Sequence, residues 1–136
     1  MSTMSIGPYI NFQGNAREAM EFYQSVLGGA LDLHTVNDQG VASLARPGDT
    51  ITQARLVADG MLIVGTDGHP KYPPTVGENM AIVLSGTDSD RLTGIFNALA
   101  ESGKLKGKLT EQPWGGKTGY LTDKFGINWV ISIEQA

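Results

Sequence analysis

The chain has 136 residues, 40% of them hydrophobic, and a formal net charge of −4; it is long enough for one compact domain with its own core and has no basic field to hold a phosphate backbone. It contains no cysteine, which excludes thiolate nucleophiles, zinc–thiolate sites and disulfide frameworks and fits a reducing compartment, so a cytoplasmic protein without a nucleic-acid partner is expected. The start, Met1-Ser2-Thr3-Met4-Ser5, lacks a signal-peptide pattern, and no segment reaches the roughly 18–20 apolar residues of a membrane span, so no membrane partner is expected either.

Ile6 to Phe12 reads as a short apolar strand, and Gly14-Asn15 as a break and a helix start, with Asn15 and Glu18 spaced for a capping box. Ala16, Ala19, Met20, Tyr23 and Leu27 follow at helical spacing, Phe22 and Val26 widen the stripe, and Gly28-Gly29 ends the helix. Leu31 to Val36, about Thr50 to Ala58 and Met61 to Thr66 read as strands, the last two joined at Asp59-Gly60 by a tight hairpin. Residues 67–78 hold Gly68, Pro70, Pro73, Pro74 and Gly77, a composition that supports neither helix nor ladder. A strand at Met80 to Ser85 comes next, then a helix over 89–102 with Leu92, Ile95, Phe96 and Leu99 inward, stopped by Gly103. Strands near 104–110, 114–121 and 127–134 complete the chain.

Both halves thus read βαβββ, an internal repeat of about sixty residues visible in element order rather than in residue identity. The expected organisation is a single α+β domain over 1–136: module one at about 5–66, a linker at 67–78 and module two at about 79–134. Pairing the two modules would curve a mixed sheet around a shared cleft, with helices on the outer faces. Lys104, Lys106 and Lys108 alternate with Leu105, Gly107 and Leu109, which would place all three on one face of a strand as a solvated, aggregation-resistant edge.

Several stretches resemble one family: Pro8-Tyr9-Ile10-Asn11-Phe12, Gly14-Asn15-Ala16, Phe22-Tyr23-Gln24-Ser25-Val26-Leu27-Gly28-Gly29, Trp114-Gly115 and Asp123-Lys124-Phe125-Gly126-Ile127-Asn128-Trp129. Together they span nearly the whole chain. They resemble the vicinal oxygen chelate superfamily (glyoxalase I, extradiol dioxygenases, bleomycin resistance proteins), and within it the PhnB-like group. The resemblance implies the glyoxalase-like fold and a homodimer. By themselves the same residues also read as core and turn formers, Phe22, Tyr23, Val26 and Leu27 in the core and Trp129 packing beneath a helix with Ile127, Ile131 and Ile133.

Metal-dependent members of that superfamily hold a divalent ion with His, Gln or Glu from the first and last strand of each module. Counting from the motifs puts those positions at about Pro8, Gly65, Ile82 and Val130, none of which ligates a metal through its side chain. No metal and no other cofactor is therefore expected. Slippage would offer Tyr9, Asn11, Asp67, Asn128 or Ser132, but a one-residue shift turns a strand side chain to the opposite face. His34 and His69 read as surface or packing residues. The group also bears a label as ubiquinone-related methyltransferases, yet Gly14 stands alone where adenosylmethionine enzymes of the common kind need a Gly-rich turn.

With Val130 on the cleft face, Asn128 and Ser132 share it, Pro8, Ile10 and Phe12 would line the first strand, and Ile82 and Leu84 the fifth. Trp114, Tyr120 and Tyr9 are candidates for stacking. Such a lining suits a small, partly aromatic ligand. For acid–base chemistry Asp67, His69, Glu78 and Asp123 are the candidates, Asp123 reading as a turn former because Gly126 follows it; no catalytic residue is assigned. The alternative is a metal-dependent lyase or dioxygenase of the same superfamily, and a third reading is a non-catalytic interaction module.

Overall fold

A computed structural model of the chain describes residues 5–58, 60–68, 71 and 73–135. It divides into two units, Met1–Thr75 and Val76–Ala136. The first contains β1 (Tyr9–Asn11), α1 (Ala16–Leu27), β2 (Ala30–Val36), β3 (Ala42–Leu44), β4 (Gln53–Ala58) and β5 (Met61–Thr66). The second contains β6 (Ile82–Gly86), α2 (Ser89–Glu101), β7 (Lys104–Glu111), β8 (Lys117–Thr122) and β9 (Asn128–Ile133).

The strands form two mixed sheets, ordered β1-β5-β4-β2-β3 and β6-β9-β8-β7. In each, the first strand lies at an edge and runs parallel to the last strand of its unit, while every other pairing is antiparallel. The repeat read from element order is therefore present in the hydrogen bonding. β3 is an addition that the sequence did not announce: three exposed residues pair with the end of β2, Leu44 opposite His34 and Ala42 opposite Val36.

Each helix covers one face of its own sheet. On α1 the buried residues are Ala16, Ala19, Met20, Tyr23 and Leu27, and on α2 they are Leu92, Ile95, Phe96 and Leu99, the two stripes expected from helical spacing. Beneath α1 lie Ala54, Leu56 and Ile63; beneath α2 lie Leu121, Trp129, Ile131 and Ile133. The helices approach closely enough to restrict the sheet positions below them. A Cβ on Gly65 would stand 2.9 Å from Phe12 Cε2 and 3.0 Å from Met20 Sδ, and one on Gly119 would stand 2.6 Å from Phe96 Cε2. Glycine is what those two contacts accept.

Element ends differ from the sequence reading in ways that have local causes. β1 is three residues long because Ile6, 97% exposed, packs against nothing. β4 begins at Gln53 rather than Thr50, since Ile51 is bound out of line by Asp67 through Ile51 N to Asp67 Oδ2 and Asp67 N to Ile51 O. β8 begins at Lys117 because Gln112 to Gly116 closes a turn, with Gly115 and Gly116 at φ +94 and +76. The strand β7 is a sheet edge, as expected for a lysine-rich segment, but two register shifts, between Leu105 and Gly107 and between Gly107 and Thr110, interrupt its alternation. Lys104, Lys106 and Lys108 are all exposed, as a solvated edge requires, and each bulge inserts an unpaired residue beside them.

Candidate functional site

The face of each sheet away from its helix is where side chains remain available. In the second unit, β8 and β9 pair Tyr120 with Val130 and Thr122 with Asn128, and β6 adds Val83 beside Val130 and Ser85 beside Ser132. Alternation on β9 is regular: Trp129, Ile131 and Ile133 are buried under α2, while Asn128, Val130 and Ser132 are half-buried on the other side. Tyr120 is 47% exposed and Val83 64%. Asn128, Val130 and Tyr120 meet at a concavity of about 280 Å3, to which Met80 and Lys106 also contribute.

Ile82 and Leu84 are not part of this face. Parallel pairing sets Ile82 beside Trp129 and Leu84 beside Ile131, so both lie under α2. The first sheet shows the same one-residue offset. Ile10 pairs with Gly65, and Phe12 packs against Tyr23 with ring centroids 6.1 Å apart, so these two lie on the α1 face. Pro8, two residues before Ile10, shares their parity. The uncovered face of β1 presents Tyr9 opposite Val64 and Asn11 opposite Thr66. The physical reason is that β1 and β6 are short and carry apolar residues on both sides, so pairing register decides which way they face. Trp114 is 75% exposed in the turn before β8 and does not border the Tyr120 concavity.

The same register redraws the family metal positions. Gly65 faces α1 and Ile82 faces α2, while the uncovered residues are Tyr9 and Asn11 on β1, Leu62, Val64 and Thr66 on β5, Val83 and Ser85 on β6, and Asn128, Val130 and Ser132 on β9. None is His, Gln, Asp or Glu. Among the described residues no group of three or more His, Asp and Glu could hold a metal ion. Hydroxyl and amide groups interspersed with aliphatic ones do not fit the donor set of a divalent ion bound in the family manner.

Two of the acid–base candidates prove to be fastenings. Asp67 Oδ1 accepts from Ala16 N at 2.8 Å and Oδ2 from Ile51 N at 2.6 Å. It caps α1 in place of the expected box, for Asn15 makes no side-chain capping bond. Asp123 is 4% exposed; its Oδ1 accepts from Phe125 N and Ile127 N at 2.8 and 3.1 Å, and its Oδ2 accepts from Trp129 Nε1 at 2.9 Å. Glu78 meets Lys106 at 3.8 Å and its side chain is 84% exposed. His34 is half-buried on β2 between Gln53 and Leu44, and His69 lies outside the described residues.

A second cavity, of about 440 Å3, adjoins the start of α1 in the first unit and is bordered by Asn11, Gln13, Thr50, Asp67 and Pro73. Sequence reasoning did not find it. Its walls come from loops brought together by Asp67, a long-range contact with no local signature.

These features coincide with those of known proteins. The family model described as 3-demethylubiquinone-9 3-methyltransferase matches residues 4–132. The chain belongs to that family. This PhnB-like chain is 34% identical to protein PA1353 from Pseudomonas aeruginosa, a crystal structure matched with a TM-score of 0.83 over 98% of this chain and 100% of the other. It is 27% identical to protein YjdN of Escherichia coli K12, over 96% of this chain and 95% of that protein. A protein from Bacillus cereus described as a putative 3-demethylubiquinone-9 3-methyltransferase, PhnB protein, shares the fold at 24% identity, with a TM-score of 0.73 over 96% and 99% of the two chains. The fold is also that of a glyoxalase/bleomycin resistance protein/dioxygenase from Alicyclobacillus acidocaldarius, at 13% identity and a TM-score of 0.59 over 97% and 92%. The PhnB-like chain thus shares the fold of glyoxalase-related proteins. Neither of its sheets is doubly wound, so the strand-end crevice at which such folds bind adenosyl cofactors has no counterpart in them. Among the described residues no helix is long and apolar enough to cross a membrane.

Proposed function

We propose that this protein binds a small, partly aromatic molecule on the uncovered sheet faces, without a metal ion. The observation that carries the reading is the composition of those faces: Tyr120, Val130 and Val83 in one unit and Tyr9 and Val64 in the other, interrupted by a few amide and hydroxyl groups. Apolar surface of this kind supplies desolvation, and sparse polar groups orient a ligand. The engaged carboxylates of Asp67 and Asp123 argue for a binding role before a catalytic one, and no reaction is assigned. The test is a nuclear magnetic resonance titration with a broad panel of aromatic metabolites and drugs. Saturable shifts at the backbone amides of Tyr120, Asn128 and Val130 are expected, and a flat response across the panel would sink the reading.

The protein acts in the cytoplasm as a homodimer in this proposal. Exposed apolar residues at the β3 edge of the first sheet, Val41 at 58% and Leu44 at 70%, support symmetric association, which covers the same patch on both copies. Light scattering of the purified chain is expected to give twice the monomer mass of 14.5 kDa.

A further inference from the structure

The concavity of about 280 Å3 on the uncovered face of the second sheet has chemically uneven walls. Tyr120, Val130 and Met80 give it ring and aliphatic surface. The amide of Asn128 is already committed within the protein: its Oδ1 accepts from Thr122 Oγ1 at 2.8 Å and its Nδ2 donates to Met80 O at 3.1 Å. Of the other polar side chains that border the concavity, Glu78, Asn79 and Lys106, the one that attracts an anion is Lys106. Its ammonium meets Glu78 at 3.8 Å, and the Glu78 side chain is 84% exposed, so the pair is a loose surface contact that another anion can displace. Lys104 and Lys108 on the same strand add positive potential, in a chain whose net charge is −4.

We propose that this concavity takes a small planar aromatic acid, its ring against Tyr120 and Val130 and its carboxylate on Lys106 Nζ. The proposal rests on the small-molecule reading above and adds the ligand's charge and size. A carboxylate against an ammonium forms a charge-assisted hydrogen bond, stronger than the neutral contact an amide or alcohol would make. Offset packing on the tyrosine ring favours a flat partner. Ligand pockets for drug-sized molecules run from about 300 to 1,000 Å3, and an opening of about 280 Å3 restricts the ligand to one or two rings.

The experiment titrates the full chain with 2-naphthoate and with its neutral isostere 2-naphthamide, by calorimetry and by amide chemical shifts. The acid is expected to bind about tenfold or more tighter than the amide, consistent with one charge-assisted contact, to shift the amides of Lys106, Tyr120 and Val130, and to weaken as salt is added. Lys106→Met is expected to bring the acid down to the level of the amide and leave the amide unchanged, while Lys106→Arg keeps the preference. The lysine is an exposed residue on a bulged sheet edge, and unchanged dispersion of the spectra verifies folding of both variants. Equal affinity for acid and amide, or a preference that survives Lys106→Met, overturns the assignment of charge and leaves the binding reading intact. Failure of naphthoate to bind while neutral members of the broad panel do so overturns it equally. A panel in which nothing binds overturns both.

Discussion

The two units repeat one strand order, yet their polar fastenings work over different distances along the chain. In the second unit the carboxylates act locally, although Asn128 reaches back 48 residues to Met80 O: Asp88 caps α2 by accepting from Arg91 N at 3.1 Å, and Asp123 binds groups two, four and six residues ahead of it. In the first unit the start of α1 is held by Asp67, 51 residues further on, and the same carboxylate binds Ile51, 16 residues back. Similar backbones therefore do not imply similar wiring. A helix N-terminus needs an acceptor, and either a neighbour in sequence or a neighbour in space can supply it.

Substitutions can break this contrast. The largest effect is expected at Asp123, where Asp123→Ala strands three donors, among them the buried indole N–H of Trp129. A loss of about 3 kcal/mol is expected in urea unfolding, since buried donors left unpaired each cost about 1–3 kcal/mol. Asp67→Ala is expected to cost about 2 kcal/mol, because its two donors are only part-buried and water can replace the acceptor. Hydrogen exchange should then accelerate at the amides of Ala16 and Ile51 together. The smallest effects sharpen the comparison: Asp88→Ala should cost about 1 kcal/mol as a lost cap, whereas Asn15→Ala should stay within about 0.5 kcal/mol, as for a surface change that removes no contact. Equal costs at Asn15 and Asp88 would show that the two helices are capped alike.

How much of this was legible in the sequence follows from the same distinction between local and distant. Both helix stripes could be read residue by residue, because helical spacing is a property of the segment alone. β9 could be read as well, since Trp129, Ile131 and Ile133 alternate with Asn128, Val130 and Ser132. The facing of β1 and β6 could not. Ile10 and Ile82 are apolar, and so are neighbours such as Tyr9 and Val83, so only the pairing with Gly65 and Trp129 fixes which way they point. That is why Tyr120, Asn128 and Val130 come together at one concavity while Ile82 and Leu84 lie under α2, and why Pro8, Ile10 and Phe12 lie on the α1 face of their own sheet. β3 escaped notice because a three-residue strand such as Ala-Ser-Leu carries no period. The role of Asp67 was hidden for a different reason, since nothing near it in sequence indicates that its partners are Ala16 and Ile51.

The long reach of Asp67 also bears on the order of events during synthesis. Chains are made N-terminus first, so α1 and the strands through β4 are synthesised before the residue that caps α1. Until β5 is complete the first turn of that helix depends on water for its free N–H groups. A nascent chain stalled before residue 67 would therefore have a frayed helix start, and finishing β5 would lock the beginning of the unit and its end in a single step.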